Sequence, residues 1–330
     1  MGFQRVSALC LGTLPFGTVV DEEMSFALLD RFVEKGGTFI DTANCYCFWR
    51  EGSDGGDSER LLGRWLATRG IRDEVTVATK TGALPAGEGT WPANREGLSA
   101  QALRHAVHGS LRRLGTDRID LLYGHIDDPS TPLEETVGAY AALVAEGLVG
   151  QVGMSNQNGT RLSRARDLAK RQNLPAFTAL QQRHTYLTPA PDADFDYQVA
   201  LDEPTLAYAA TQPDLTVLAY SALLNGAYAG SKPVPAEYRH DGTEPALRVL
   251  AKIAAETGAT PGQVVYAWML QSSPTVIPLV GVSRLDQLDE ALEALDLELT
   301  EEQRARLDAT RAAAPRRPDS LRPDETSRIS

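Results

Sequence analysis

The 330-residue sequence predicts an α/β protein, a closed (β/α)8 barrel in a single domain. Three observations carry that prediction. Eight short apolar runs recur along the chain, segments of helical apolar period separate them, and no run is followed by a phosphate-cradling glycine motif. Buried strands joined by helices run parallel with right-handed crossovers, and eight such units close on themselves. A doubly wound open sheet is the competing architecture, and it would want a G-x-G-x-x-G or G-x-x-x-x-G-K after a strand.

The elements follow in chain order. Residues 6–11 form the first run; Phe26, Leu29 and Val33 then share one helix face, and Gly36-Gly37 ends that helix where only glycine enters the left-handed region cheaply. The second run, 38–40, ends at Asp41, and the third, 75–79, ends at Lys80. A stripe of Leu103, Val107, Leu111 and Leu114 leads to the fourth run, 119–123, and on to His125. Thr131-Pro-Leu-Glu134 reads as a capping box with proline at the first helical position, opening a helix of Val137, Tyr140, Val144 and Leu148 that Gly147 closes. The runs at 149–154, 176–180 and 215–219 end respectively at Ser155 and Asn156, at Gln181, and at Tyr220 and Ser221. Thr260-Pro-Gly-Gln263 is a second box, 275–280 is the eighth run, and Thr300-Glu-Glu-Gln303 opens a C-terminal helix. The barrel is expected over 1–313; the polar, proline-rich remainder, 314–330, has no apolar period and is expected to be a mobile, disordered tail.

Composition narrows the function. With 42% hydrophobic and 23% charged residues the chain can bury a sizeable core. A net charge of -12 argues against nucleic acid, whose phosphates need a basic face. No run approaches a membrane span, no helix is basic and amphipathic, and the opening MGFQRVSALCLGTLPFG is too short and glycine-broken for a signal peptide. Three cysteines, Cys10, Cys45 and Cys47, make an odd count that fits a reducing compartment, so a cytoplasmic location is expected. The lone C-x-C lacks a second cysteine pair, so no metal is expected.

In a barrel the chemistry sits at the C-terminal ends of the strands, and here those ends are polar in turn: Asp41, Lys80, His125, Ser155, Asn156, Gln181, Tyr220, Ser221. Lysine is scarce, five in the chain, so one at a strand end is informative. Each residue alone has a bland reading as a loop cap, a snorkelling amine or a satisfied imidazole. On one rim they read together as a site.

The segments FIDTANCY, TVATKTG, SLRRLGTDRIDLLYGH, VGQVGMSN, AYSALLNG and IPLVGVSRLDQLDEAL occur in this order, and with them the chain resembles the aldo-keto reductases over about 300 residues. The resemblance implies an NADP-dependent oxidoreductase: NADPH lies across the barrel rim and an aldehyde or ketone is reduced to an alcohol. It maps a catalytic tetrad onto Asp41, Tyr46, Lys80 and His125, with Tyr46 as proton donor. Physical logic agrees, since an alkoxide left bare in a dry pocket is costly; the Lys80 ammonium should favour phenolate and lower the Tyr46 pKa, Asp41 should hold Lys80 charged, and His125 should donate to the substrate oxygen. The resemblance also implies that Ser155, Asn156 and Gln181 hold the nicotinamide carboxamide and that Tyr220 stacks on its ring. Ser221, Leu223 and Gly226 would line the pyrophosphate path. Gly281, Ser283 and Arg284 would open a phosphate-binding helix, and Gln287 and Glu290 would meet adenine, where Ala291 replaces a common asparagine.

Phe48, Trp49, Trp91, Tyr186, Tyr228 and Tyr238 fall in rim loops and are candidates for a substrate wall; the role of 181–198 is open. A small-molecule carbonyl substrate and a monomer or weak homo-oligomer are expected. A cofactor-binding regulatory subunit without significant turnover and a barrel lyase or isomerase are the alternatives. Neither Cys45 nor Cys47 is expected to be a ligand or nucleophile, so replacing both with alanine should alter mainly substrate affinity.

Overall fold

Eight parallel strands close into a barrel in sequence order, β1 pairing with β8, in a computed structural model that describes residues 6–312. The elements run β1 (Cys10–Gly12), α1 (Glu22–Glu34), β2 (Phe39–Asp41), α2 (Asp57–Arg69), β3 (Thr76–Thr81), α3 (Ala100–Leu114), β4 (Ile119–Gly124), α4 (Leu133–Ala145) and β5 (Val149–Ser155). They continue with α5 (Gly159–Arg171), β6 (Phe177–Arg183), α6 (Glu203–Ala210), β7 (Thr216–Tyr220), α7 (Thr243–Thr257), α8 (Pro261–Leu270), β8 (Val276–Gly281), α9 (Leu285–Glu293) and α10 (Glu301–Ala312). Every apolar run overlaps a strand, although of the first, 6–11, only Cys10 and Leu11 are in β1; the tail expected over 314–330 lies outside the described residues.

Strand side chains alternate between two cores. One face fills the barrel with Cys10, Phe39, Ala78, Leu121, Tyr123, Ala179, Leu218 and Ile277; the other packs against the helices through Leu11, Ile40, Val77, Leu122, Val152, Leu180 and Val217. Period two then dictates the mouth. Two residues beyond Phe39, Ala78 and Ala179 come Asp41, Lys80 and Gln181, all buried, so the barrel's uppermost inward layer is polar. Gly153 on β5 makes room in that layer: a Cβ there would lie 2.6 Å from the Tyr123 ring.

The helix ends show where local reading held. Thr260 and Gln263 form the expected capping box, with the proline at the first turn, and Thr300 and Gln303 exchange the same two bonds at 3.0 and 3.2 Å. The box at Thr131 does not form. Helix α4 begins at Leu133 with Pro132 at its cap, and the Thr131 hydroxyl donates instead to Asp128 at 2.7 Å. That carboxylate, which also accepts from the Leu98 amide, outcompetes neutral amide capping because hydrogen bonds to charge are the stronger ones. On α1 the buried face is Leu28, Leu29 and Phe32, with Phe26 and Val33 half-buried at its edges.

Candidate active site

At the barrel mouth, Lys80 uses all three ammonium protons. Its Nζ donates to Asp41 Oδ1, to the Thr42 carbonyl at 2.9 Å and to the Tyr46 hydroxyl at 2.6 Å. Tyr46 in turn donates to Asp41 Oδ1 at 3.2 Å, and Gln181 donates to Asp41 Oδ2 at 2.8 Å. Lys80 and Asp41 are 1% and 0% exposed, so neither charge has water to fall back on and each depends on the other. Strand β2 ends at Asp41, and the loop beyond turns back so that Tyr46 lies 3.2 Å from the carboxylate five residues earlier.

Burial, and after it the charge of Asp41, pushes the Tyr46 phenol well above the usual tyrosine range. This corrects the expectation that Lys80 depresses it: the Lys80 charge is already matched by Asp41, so desolvation decides. Tyr46 therefore holds its proton. His125, just past β4, has its ring edge-on to Tyr46 at a centroid distance of 6.0 Å, and its Nδ1 lies 3.2 Å from Cys45 Sγ. Burial, with Lys80 adding to it, drives the imidazole well below the usual histidine range and keeps it neutral.

The residues assigned to a cofactor lie along the same rim. Asn156, in the left-handed region at φ 53, donates to the His125 carbonyl at 3.0 Å and accepts from Tyr220 at 2.6 Å, while Gln182 fixes its amide at 2.8 Å. Ser221, Leu224, Asn225 and Gly226 follow with positive φ, a tight turn beside half-buried Leu223. Gly281 is exposed, and a Cβ there would meet nothing within 4 Å. Arg284 is the cap of α9 rather than part of its first turn, and its exposed guanidinium is paired with Asp286 by two 3.0 Å bonds. Gln287 accepts from the Ser283 amide at 2.9 Å, Glu290 accepts from Thr260 at 2.5 Å, and Ala291 is buried.

The rim aromatics expected to form a wall divide into two groups. Phe48 contacts Trp49 and Trp91 at centroid distances of 5.2 and 5.4 Å, and Trp91 meets Tyr197 edge-on at 4.6 Å. Tyr197, within 181–198, was missed in the sequence; an aromatic inside a rim loop was the available signal. Three candidates do not join the wall. Tyr186 is fully buried against Trp268 with its hydroxyl on Thr310; Tyr228 is bound to Thr185 and the Leu187 amide; Tyr238 accepts from Arg183. Each hydroxyl is bonded within the protein, to α10, to the loop after β6 or to the end of β6, so these rings pack the fold.

Among the described residues no cluster of three histidine, cysteine or acidic side chains could hold a metal ion, and no helix is long and apolar enough to cross a membrane. Residues 8–312 match the model of the aldo/keto reductase family. The chain is 34% identical to norsolorinic acid reductase stcV of Emericella nidulans, over 91% of this chain and 76% of that protein. It is 30% identical to the oxidoreductase YrpG of Bacillus subtilis, over 90% of each. With an aryl-alcohol dehydrogenase of Pestalotiopsis microspora it shares 29% identity, over 90% of this chain and 77% of that one.

Proposed function

The chain belongs to the aldo/keto reductase family, and from that premise we propose that it reduces an aldehyde or ketone with NADPH, Tyr46 giving the proton. The supporting observation is the Tyr46 hydroxyl at the mouth of the barrel, 2.6 Å from the Lys80 Nζ that pairs with Asp41, with burial pushing the phenol above the usual tyrosine range.

The rim residues fit a nicotinamide dinucleotide. Asn156 and Tyr220 are already oriented by their mutual bond, the backbone at Gly281 is open to close approach, and Ser283 and Arg284 sit exposed at the start of α9. Asn156, Ser155 and Gln181 would hold the carboxamide, Tyr220 the ring face, Ser221, Leu223 and Gly226 the pyrophosphate, and Arg284 with Ser283, Gln287 and Glu290 the adenosine end. Bound there, NADPH supplies the hydride.

The chain's own residues handle the oxygen. A carbonyl at the mouth would receive a hydrogen bond from neutral His125 and a proton from Tyr46 as negative charge develops. The phenolate left behind faces the Lys80 ammonium, which stabilises it without first having drawn the proton off. Asp41 keeps Lys80 charged, and Gln181 and Thr42 hold that pair in place. The wall of Phe48, Trp49, Trp91 and Tyr197 favours an aryl carbonyl over a sugar. Loss of NADPH absorbance over a panel of aryl, alkyl and sugar carbonyls tests the reading. Turnover fastest with aryl carbonyls is expected; cofactor binding with no turnover on any carbonyl would leave a regulatory subunit instead.

A further inference from the structure

The mechanism asks His125 to present a proton on one particular ring nitrogen, and nothing in the tetrad itself selects it. A neutral imidazole carries one proton, on Nδ1 or Nε2. Nε2 makes no hydrogen bond among the described residues, and Nδ1 has one partner, the Cys45 sulfur at 3.2 Å. Cys45 lies beside Tyr46 in a small buried cluster with Ala43, Ala83 and Ile126, and its position is fixed by the same loop that turns the phenol back.

The geometry points to Cys45 as a positioning residue: its S–H donates to His125 Nδ1, which places the ring proton on Nε2, toward the substrate oxygen. The direction of that bond follows from the chemistry of the two groups. A thiol sulfur is a weak acceptor, whereas an imidazole nitrogen lone pair is a good one, so the thiol gives and the ring receives. Burial keeps Cys45 in the thiol form that can donate. Cys47 differs: its sulfur gives a bond to the Leu14 carbonyl at 3.4 Å and takes one from Thr18 at 3.2 Å, away from the tetrad. The expectation that both cysteines affect mainly substrate affinity is revised for Cys45 alone.

The inference rests on the proposed reductase reading, and two readouts separate them. In full-length protein labelled with 15N-histidine, long-range proton–nitrogen correlations report the His125 tautomer whether or not any carbonyl turns over. Wild type should show the proton on Nε2, and Cys45→Val, which fills the space but cannot donate, should shift His125 toward a mixture or toward Nδ1. With a carbonyl substrate, Cys45→Val and Cys45→Ala should lose about five- to tenfold in kcat, the worth of one hydrogen bond, while KM and the NADPH dissociation constant move less than about twofold. Cys45→Ser, which restores a donor, should recover most of that loss. A Cys47→Ala control should keep the wild-type kcat. A wild-type His125 protonated on Nδ1, a Cys45→Val enzyme with unchanged kcat, or equal losses in Cys45→Val and Cys47→Ala would each overturn the assignment. A wild type that reduces no carbonyl yet shows the Nε2 tautomer, lost in Cys45→Val, would sink the reductase reading and leave the positioning contact standing.

Discussion

At the scale of single residues, Tyr46 and Lys80 separate chemistry from stability. Tyr46→Phe removes one hydroxyl and leaves the Lys80–Asp41 pair intact, so the melting temperature and NADPH affinity should stay near wild type while kcat falls roughly 10²- to 10⁴-fold, the usual worth of general acid catalysis. Lys80→Met should cost turnover and fold together. It strands Asp41, a carboxylate with no exposure, and breaking a buried pair costs about 3–5 kcal/mol. Thermal melts beside kcat measurements distinguish the two; a Tyr46→Phe enzyme with near-normal turnover would end the proton-donor role. The polar rim was legible in the sequence because Asp41, Lys80 and Gln181 fall at or near strand ends and period two turns them inward without any knowledge of their neighbours, whereas Tyr46 and His125, which lie beyond their strands, take their catalytic roles only from the family resemblance. The Cys45–His125 and Trp91–Tyr197 contacts were not legible, since they join loops 80 and about 106 positions apart that only barrel closure brings together.

Among the elements, α9 carries the clearest consequence. Its cap residue Arg284 is the side chain proposed to grip a 2'-phosphate with a planar fork, and Asp286, two positions on, already occupies that fork. A phosphate arriving there would displace a carboxylate and also sit beside its charge. Arg284→Ala should therefore weaken NADPH by about tenfold or more and leave NADH almost unchanged. Asp286→Asn should act in the opposite direction, tightening NADPH by up to about fivefold, since an exposed ion pair contributes little and is readily given up. Dissociation constants for both cofactors in wild type and the two variants decide it, and equal shifts for NADPH and NADH would show that this helix end does not read the phosphate. The helix starts show how far local rules reach. Capping at Thr260 and Thr300 follows from the residue types alone, because partner and cap are three apart; at Thr131 a carboxylate from the preceding loop intervenes, and at Arg284 an ion pair from the cap to Asp286 does.

For the whole molecule, the question is which part of the chain after β8 the barrel needs. Helix α10 packs on α7, buries Leu307 completely, and accepts the Trp268 indole proton on Asp308 at 2.8 Å. Arg311 lies 4.6 Å over the same indole and donates to the Thr185 and Tyr186 carbonyls, just beyond the strand that carries Gln181. These contacts tie the end of the barrel to its β6 rim, so α10 should behave as part of the folding unit. Leu307→Ala opens a cavity in that seam and should cost about 2–5 kcal/mol, a fall in melting temperature of roughly 3–7 °C, with kcat at 25 °C unchanged because no tetrad bond passes through it. A chain ending at Ala313 should melt with the full-length protein, since residues 314–330 carry no apolar period with which to bury surface. Removing α10 as well should instead expose Trp268 and Tyr186 and take away the Asp308 partner of the indole and the Thr310 partner of the phenol, destabilising the barrel. Melting curves of the full chain, the two truncations and Leu307→Ala test this boundary. A barrel as stable without α10 as with it would place the end of the folding unit at α9, and a loss of stability on cutting at Ala313 would assign a structural part to the tail.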